Sequence, residues 1–288
     1  MFIAGSAVIF GSMEAALKFA GGNIDPFQIT FLRFFIGGLV ILPFGISEYR
    51  GKPKGFMTGR LWLSMLRLGV VNVSCMVFFQ LGVMGSNAAT AAVIFCINPV
   101  FTMLLAHVMT EDEKMNRQKT IALATGAMGL VFMMRPWDLQ AGNTLIGMMF
   151  SLLAAAMFGL YGVLGGKTVG QVGAFTQTSV SFISGAIVLL CLLPPLGRPI
   201  IAGVADNLGI ILYISAVVTG GGYLLYFLAV KQSNVTTATI IFFLKPVIAP
   251  IFAVILLKEA VTYNMYIGIA LILVASYILN FHKRRTAN

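Results

Sequence analysis

Three polar side chains lie deep inside long apolar stretches, where an ionisable or amide group is costly to bury and is by default functional. They are Glu14, Asn98 and Lys245. A lysine in such a place needs an anion, which is either another side chain or a bound substrate. A carboxyl group there suits proton coupling, because a low dielectric disfavours its ionised form. These residue types predict binding of a charged small molecule, with Glu14 as the proton-coupling group.

Both charged residues also have a structural interpretation. Lys18 follows Glu14 by four residues and therefore lies on the same helix face, which would give a local ion pair near the membrane surface. Lys245 has no acidic residue three or four positions away. It must therefore find its anion elsewhere, either in Glu14 across the bundle or in the substrate itself.

The composition is that of an integral membrane protein. Hydrophobic residues make up 59% of the 288 and charged residues 10%, whereas soluble domains carry about a quarter charged residues. The net charge of +10 comes from basic residues in short connectors, which indicates membrane topology and not a nucleic-acid surface. The three cysteines lie in apolar runs without CxxC spacing, which favours packing roles. No metal site or cofactor is predicted.

Ten apolar runs are long enough to cross a hydrocarbon core of ~30 Å. Lys245 lies roughly 16 Å into the ninth run, and Asn98 and Glu14 lie at similar depth in the fourth and first. Three polar groups at one depth predict a site near the membrane midplane. We number the runs spans 1 to 10 in chain order: 2–20, 27–47, 61–83, 86–108, 117–134, 144–165, 173–194, 208–230, 234–257 and 264–281.

The distribution of Lys and Arg predicts the orientation. Of the 19 such residues, four lie well inside spans (Lys18, Arg33, Arg67 and Lys245) and three lie in the connectors of one side (Arg135, Arg198 and Lys258). The remaining twelve lie on the other side, which is cytoplasmic by the positive-inside rule. We therefore expect a multi-pass protein of a bacterial inner (plasma) membrane with both termini in the cytoplasm.

An internal repeat indicates how the spans are arranged. Residues 86–101, SNAATAAVIFCINPVF, match residues 233–248, SNVTTATIIFFLKPVI, at a shift of 147 residues. This shift takes span 4 onto span 9, which is five spans further along the chain. Because five is an odd number, the second copy must be inverted in the membrane. The predicted fold class is all-α integral membrane, with ten transmembrane helices as two inverted-topology five-helix repeats, residues 1–140 and 141–288. Inverted repeats are the usual basis of alternating access around a midplane site.

Further residues within the spans are candidates for the same site or for its movement. Aromatic and amide side chains can shape a cavity and hold a cation on a ring face, although most aromatic residues of a membrane protein only pack. Prolines leave backbone carbonyls unpaired and produce either a gate bend or a packing kink. Arg67 is near the cytoplasmic end of its span and serves as an anchor. The candidate substrate-binding residues are Gln80, Phe79, Tyr161, Gln177, Tyr223 and Tyr226, and the kink residues are Pro99, Pro246 and Pro250.

Several short motifs resemble those of the drug/metabolite transporter superfamily, in its EamA branch. They are the FGS of residues 10–12, the LRF of residues 32–34 and the two PV segments that end near Asp112 and Glu259. The resemblance covers the whole chain and implies ten spans in two halves, with export of small polar metabolites, commonly amino acids, by alternating access. It also implies a structural role for Arg33, which connects helices or loop carbonyls, with substrate contact as the alternative.

Other functions stay open. Within the superfamily they include transport of sugar phosphates, nucleotide sugars, amines and drugs, or lipid-linked substrates, while aromatic or apolar amino acids are the substrates that an aromatic cavity favours. A membrane-embedded enzyme is disfavoured, because there are only two histidines, no HExxH motif and one acidic residue within the spans. The expected partners are a small-molecule substrate and the lipid bilayer, without nucleic acid, for a monomer or a homodimer.

Overall fold

The computed structural model describes residues 2–53, 55–109, 116–135, 139, 141–232 and 240–285. All regular secondary structure within these ranges is helical. One segment, Tyr213–Gly221, is a π-helix, and the others are α-helices. In chain order these are α1 Phe2–Gly11, α2 Met13–Gly21, α3 Pro26–Arg50, α4 Gly59–Gly85, α5 Ala88–Phe95, α6 Asn98–Met109, α7 Arg117–Met134, α8 Leu145–Val172, α9 Ala174–Leu192, α10 Leu208–Leu212, α11 Gly222–Gln232, α12 Ile240–Leu257 and α13 Tyr263–Arg285.

The all-α membrane fold predicted from the sequence is confirmed, whereas the count of ten spans stays a prediction. Six helical segments of the described chain are long and apolar enough to cross a membrane, and two more apolar helices, Leu244–Leu257 and Tyr263–Ala275, are shorter. The first seven residues of the second repeat copy, 233–239, lie outside the described residues.

Three of the predicted spans are interrupted. Span 1 divides at Ser12 into α1 and α2, and span 4 divides at Cys96 and Ile97 into α5 and α6. Span 8 contains the π-helix between α10 and α11. Interruptions of this kind place helix ends and unpaired backbone groups inside the protein, where a polar ligand can use them.

Side-chain caps fix the ends of the helices that face the two surfaces. The Asp25 carboxylate accepts hydrogen bonds from the backbone N–H groups of Phe27 and Gln28, and Pro26 occupies the first helical position of α3. Thr58 and Thr144 cap α4 and α8 in the same way. The helices therefore begin where short polar residues interrupt the apolar pattern.

The packing of the helices follows an approximate two-fold pattern. Helix α3 packs against α9, α5 against α12 and α7 against α13, so that spans 2, 4 and 5 each meet the span five positions later. The same shift of five spans relates the other main contacts to each other. It takes the contact of α4 with α8 onto that of α11 with α1, and the contact of α4 with α9 onto that of the π-helix with α3. Both halves of the chain therefore contribute to the centre of the molecule.

Helix α4 is held unusually close to its neighbours by glycines. A Cβ atom on Gly69 would clash with the backbone oxygen of Ser181 in α9, and one on Gly82 would clash with Ser151 in α8. Because only glycine allows this approach, α4 brings its polar residues into the centre between α8 and α9.

Candidate functional site

The central feature of the molecule is an ion pair between its two halves. The ammonium Nζ of Lys245 in α12 lies 2.7 Å from the Oε1 atom of Glu14 in α2. Only 7% of the lysine side chain and 1% of the glutamate side chain are exposed. The structure therefore gives Lys245 the cross-bundle partner that was one of its two predicted alternatives.

Glu14 is placed by the interruption of span 1. Helix α2 begins directly after Ser12, so Glu14 lies in the first turn of α2, where the helix dipole favours a negative charge. The Ser12 hydroxyl holds this break in place, because it donates to the carbonyl of Ile9 at 2.8 Å and hydrogen-bonds the Tyr213 hydroxyl at 2.7 Å. The sequence signal for this arrangement was the Gly11–Ser12 pair inside an apolar run.

Lys18 does not form the local ion pair with Glu14. Its ammonium instead donates to the backbone carbonyls of Val83 and Met84 in the last turn of α4 and of Ser86 in the connector to α5. Glu14 points away from this surface connector toward the centre, so the two side chains of one helix face serve different parts of the molecule.

Two aromatic rings cover the lysine of the central pair. The Nζ atom of Lys245 is 5.3 Å from the ring centroid of Phe95 in α5 and 5.9 Å from that of Phe79 in α4. The two rings contact each other at a centroid distance of 4.5 Å, and the aromatic chain continues through Phe158 to Tyr161 in α8. An aromatic surface that holds one cation can hold another of similar size.

The predicted amide groups lie near this pair but serve different functions in the structure. Gln80 is buried and donates from Nε2 to the Leu17 carbonyl at 3.3 Å, while its Oε1 atom has no hydrogen-bond partner. Asn98 donates to the Phe95 carbonyl at 2.9 Å and thereby bridges the interruption between α5 and α6. Pro99 follows it as the second residue of α6.

The second repeat provides a polar group from α9. Gln177 and Ser181 are both buried, and the Ser181 hydroxyl donates to the Thr178 carbonyl at 3.1 Å. The Oε1 atom of Gln177 has no hydrogen-bond partner. The Gln177 and Ser181 face of span 7 therefore points into the protein.

Arg33 is buried in α3 and connects three elements. Its Nε atom donates to the Thr219 hydroxyl of the π-helix at 3.3 Å, its Nη2 atom contacts Met13 Sδ at 3.2 Å, and its guanidinium lies 4.9 Å from the Phe34 ring centroid. Its Nη1 atom has no hydrogen-bond partner. Arg67, by contrast, lies on an exposed part of α4.

The tyrosines of span 8 form a wall at the Arg33 end of the centre. The Tyr223 ring packs edge-on against Phe10 at 5.2 Å and against Phe182 at 5.0 Å between centroids. Tyr226 lies one turn away and contacts Phe227. The two kink prolines of the second half, Pro246 and Pro250, lie inside α12, one of them directly after Lys245.

One buried residue of the centre was missed by sequence reasoning. Asn72 is 1% exposed, and its Oδ1 atom has no hydrogen-bond partner. It lies two helical turns before Gln80 on α4, so the two amides share a helix face. This spacing was the available signal. Among the described residues, no three His, Cys, Asp or Glu side chains could hold a metal ion together.

Two carboxylates outside the centre cap the first turns of helices that belong to the opposite half of the chain. Glu259 accepts hydrogen bonds from the N–H groups of Ala88 at 2.7 Å and Ala89 at 3.1 Å, at the start of α5. Glu48, in the last turn of α3, accepts from the Thr176 N–H at 2.8 Å and from its hydroxyl at 3.0 Å, at the start of α9. Because α3 and α4 cross the molecule in succession, these two caps lie at opposite faces.

Comparison with known proteins agrees with this architecture. The family model described as "EamA-like transporter family" matches residues 1–135 and 145–281. An uncharacterized transporter of Clostridium kluyveri is 32% identical, over all of this chain and 94% of its own length. An S-adenosylmethionine uptake transporter of Rickettsia prowazekii is 26% identical, over 93% of this chain and 87% of its own length. A crystal structure with 18% identity matches the fold with a TM-score of 0.66, over 99% of this chain and 98% of that one.

Proposed function

The chain belongs to the EamA-like transporter family, and from this we propose that it is a secondary transporter of a small metabolite that carries an amino-acid group. It works by alternating access around the central polar site, within a bacterial inner membrane and with both termini in the cytoplasm. The family and its relatives are transporters, which supports this function over that of an enzyme.

The observation that carries the proposal is the buried pair of Glu14 and Lys245. It joins the two halves at the centre of the molecule, where an isolated charge of either sign would be costly. A zwitterion brings one positive and one negative charge into the site. Its binding therefore leaves the net charge of the buried centre unchanged and has a low electrostatic cost. During transport Glu14 binds the substrate ammonium or a proton, and a buried cation binds the substrate carboxylate.

The aromatic cover of the pair favours one particular group of zwitterions. Phe79 and Phe95 already hold the Lys245 ammonium on their ring faces. A substrate with a fixed cation or an apolar side chain would find the same surface. S-adenosylmethionine is an amino acid with a sulfonium group, so it belongs in the substrate panel beside methionine and the aromatic amino acids.

Uptake into proteoliposomes tests the proposal. Labelled amino acids and S-adenosylmethionine are offered to the wild type, Glu14→Gln and Lys245→Met, with Arg67→Gln as the control for loss of an exposed charge. We expect each central substitution to lower transport about 30-fold or more, which corresponds to the ~2 kcal/mol lower bound for losing one partner of a buried charge pair. Wild-type protein that transports no zwitterion, although folded, would refute the proposal.

The pH dependence of the same assay tests proton coupling. If Glu14 carries the coupled proton, an imposed proton gradient drives accumulation in the wild type and has no effect on any residual transport by Glu14→Gln. Equal responses in the two proteins would assign the proton to another group and leave Glu14 as the ammonium partner.

A further inference from the structure

Arg33 is a buried cation without a counter-ion. Its side chain is 2% exposed, and its contacts are a hydroxyl, a thioether and a ring, none of which carries a negative charge. Within the described part of the chain, no carboxylate lies at ion-pair distance from it, and its Nη1 donor has no partner. An unpaired charge at this depth is destabilising, which suggests that an anion binds there during function.

The charges of the centre do not balance within the described residues. The buried charged side chains there are Glu14, Arg33 and Lys245, which gives two cations and one anion. Lys245 takes the Oε1 atom of Glu14. Arg33 is therefore the cation that remains available for a substrate anion.

The central carboxylate also has an unused atom. The Oε2 atom of Glu14 is buried and has no hydrogen-bond partner. Arg33 reaches the same turn of α2, because its guanidinium contacts Met13, which directly precedes Glu14. An unused acceptor and an unused donor of opposite charge thus lie in one region, which is the complement of an amino acid's ammonium and carboxylate groups.

The position of the Arg33 guanidinium is fixed by the π-helix, while its Nη1 donor stays without a partner. The Thr219 hydroxyl donates to the Ile214 carbonyl at 2.8 Å within the π-helix, so its oxygen accepts from Arg33 Nε and fixes the guanidinium. π-Helical segments are frequent at functional sites. Tyr223 packs against Phe182, which also contacts Phe34 beside the Arg33 guanidinium, and so adds a hydroxyl-bearing ring to this side of the centre.

We propose that Arg33, and not Lys245, binds the substrate carboxylate, while the free oxygen of Glu14 binds the substrate ammonium. Lys245 is then a positioning residue, which holds Glu14 through Oε1 and stays paired when the substrate enters. This assignment rests on the proposed function, because it takes the substrate to be a zwitterion. It differs from the sequence-based prediction, in which Lys245 is a substrate ligand and Arg33 is structural.

A comparison of an amino acid with its methyl ester tests the assignment. The ester keeps the ammonium and removes the negative charge of the carboxylate. Binding of both forms is measured with the wild type, Arg33→Gln and Lys245→Met, with Arg67→Gln as control, using the amino acid that the wild type transports best. We expect the wild type and the control to prefer the acid about 10- to 100-fold, the range for hydrogen bonds to charged groups.

The two central variants should differ in pattern. Arg33→Gln should lose the preference for the acid and bind the ester as the wild type does. Lys245→Met should bind both forms more weakly and keep the preference, because it acts through Glu14. The assignment is overturned if Lys245→Met abolishes the preference or if Arg33→Gln weakens both forms equally. If Arg33→Gln does not fold, Arg33→Lys replaces it and should reduce the preference, since lysine lacks the planar fork.

A second measurement does not depend on the natural substrate. The thermal unfolding midpoint of the purified protein is recorded in sodium propionate and in sodium chloride at equal concentration. We expect propionate to raise the midpoint of the wild type and of Arg67→Gln above that in chloride, and to have no such effect on Arg33→Gln. A wild type that does not respond, or an equal response in Arg33→Gln, overturns the anion site. An Arg33-dependent response without transport of any zwitterion would reject the proposed function and retain the anion site.

Discussion

At the scale of single residues, the pair of Glu14 and Lys245 is where we expect stability and transport to depend on the same atoms. Moving two charges out of water costs more than their attraction returns unless the geometry is favourable, and removing one partner leaves the other charge buried alone. The Lys245 Nζ and Glu14 Oε1 atoms lie 2.7 Å apart beside the rings of Phe79 and Phe95, while neither carboxylate oxygen accepts a directed hydrogen bond. Each charge of the pair is therefore compensated only while the other is present.

A double substitution should separate the two roles of the pair. Glu14→Gln and Lys245→Met should each destabilise the protein by about 3–5 kcal/mol, because each leaves an uncompensated buried charge. The double variant should recover most of this loss and still fail to transport, since the substrate ammonium has lost its partner, Glu14. Unfolding in detergent and uptake into proteoliposomes measure the two effects. Recovery of transport in the double variant would show that the pair is only structural.

The identity of the central residues could be predicted from the sequence, whereas their partners could not. Glu14 and Lys245 are conspicuous as charges within apolar spans, and their shared depth predicts that they meet. The helical spacing of Glu14 and Lys18 indicates an equally plausible local pair. Only the three-dimensional course of the connector after α4 shows why Lys18 donates to backbone carbonyls instead.

At the scale of elements, the close packing of α4 determines where its polar face lies. A Cβ atom at Gly69 would clash with backbone atoms of Ser181 and Gly185, which cannot move unless α4 and α9 separate. Helix α8 contains a matched control in Gly166, where a Cβ atom meets nothing within 4 Å.

Alanine at these two positions should have opposite effects on stability. Gly69→Ala should destabilise the protein by about 1–3 kcal/mol, the cost of overpacking, and should lower transport because Asn72 and Gln80 shift with α4. Gly166→Ala should be neutral or stabilising by up to ~1 kcal/mol, since alanine favours the helix. The thermal unfolding midpoints of both variants and the wild type, measured in the same detergent, test this prediction. Equal effects would show that the α4–α9 contact has room to relax.

The helices were predicted more successfully than their interruptions. Length and apolar composition are sufficient to locate a span, because a membrane fixes both. The breaks at Ser12 and Cys96 and the π-helix of span 8 depend on contacts with other helices, such as the hydrogen bond between the Ser12 and Tyr213 hydroxyls. No local pattern contains that information. Proline marked one break only indirectly, since Pro99 lies two residues after the α5–α6 interruption.

At the scale of the whole molecule, each face has a carboxylate that caps a helix of the opposite half. Glu259 of the second half caps α5 of the first half, and Glu48 of the first half caps α9 of the second. Alternating access requires one face to open while the other stays closed. A cap on the first turn of a helix, made by a residue of the opposite half, can hold a face closed and must be released when that face opens.

We expect the two caps to control opposite faces of the transporter. Cys96, in the break beside the central pair, reports access to the centre when Cys75 and Cys191 are replaced by serine. Glu259→Gln should raise the rate at which a membrane-impermeant thiol reagent modifies Cys96 from the Glu259 face, and Glu48→Gln should raise it from the other face. Loss of a cap costs about 0.5–2 kcal/mol, which corresponds to an increase of about 2- to 30-fold in the rate of Cys96 modification.

Vesicles of both orientations provide the two directions of access for this experiment. Asp206→Asn removes an exposed carboxylate outside both caps and should leave both rates unchanged. If both glutamate variants raised modification from the same face, the caps would not be a gate pair. If neither changed the rates, the faces would be held closed by helix packing alone. Opposite changes would mean that each half closes one face through a carboxylate, so that inversion of the repeat accounts for the alternation of access.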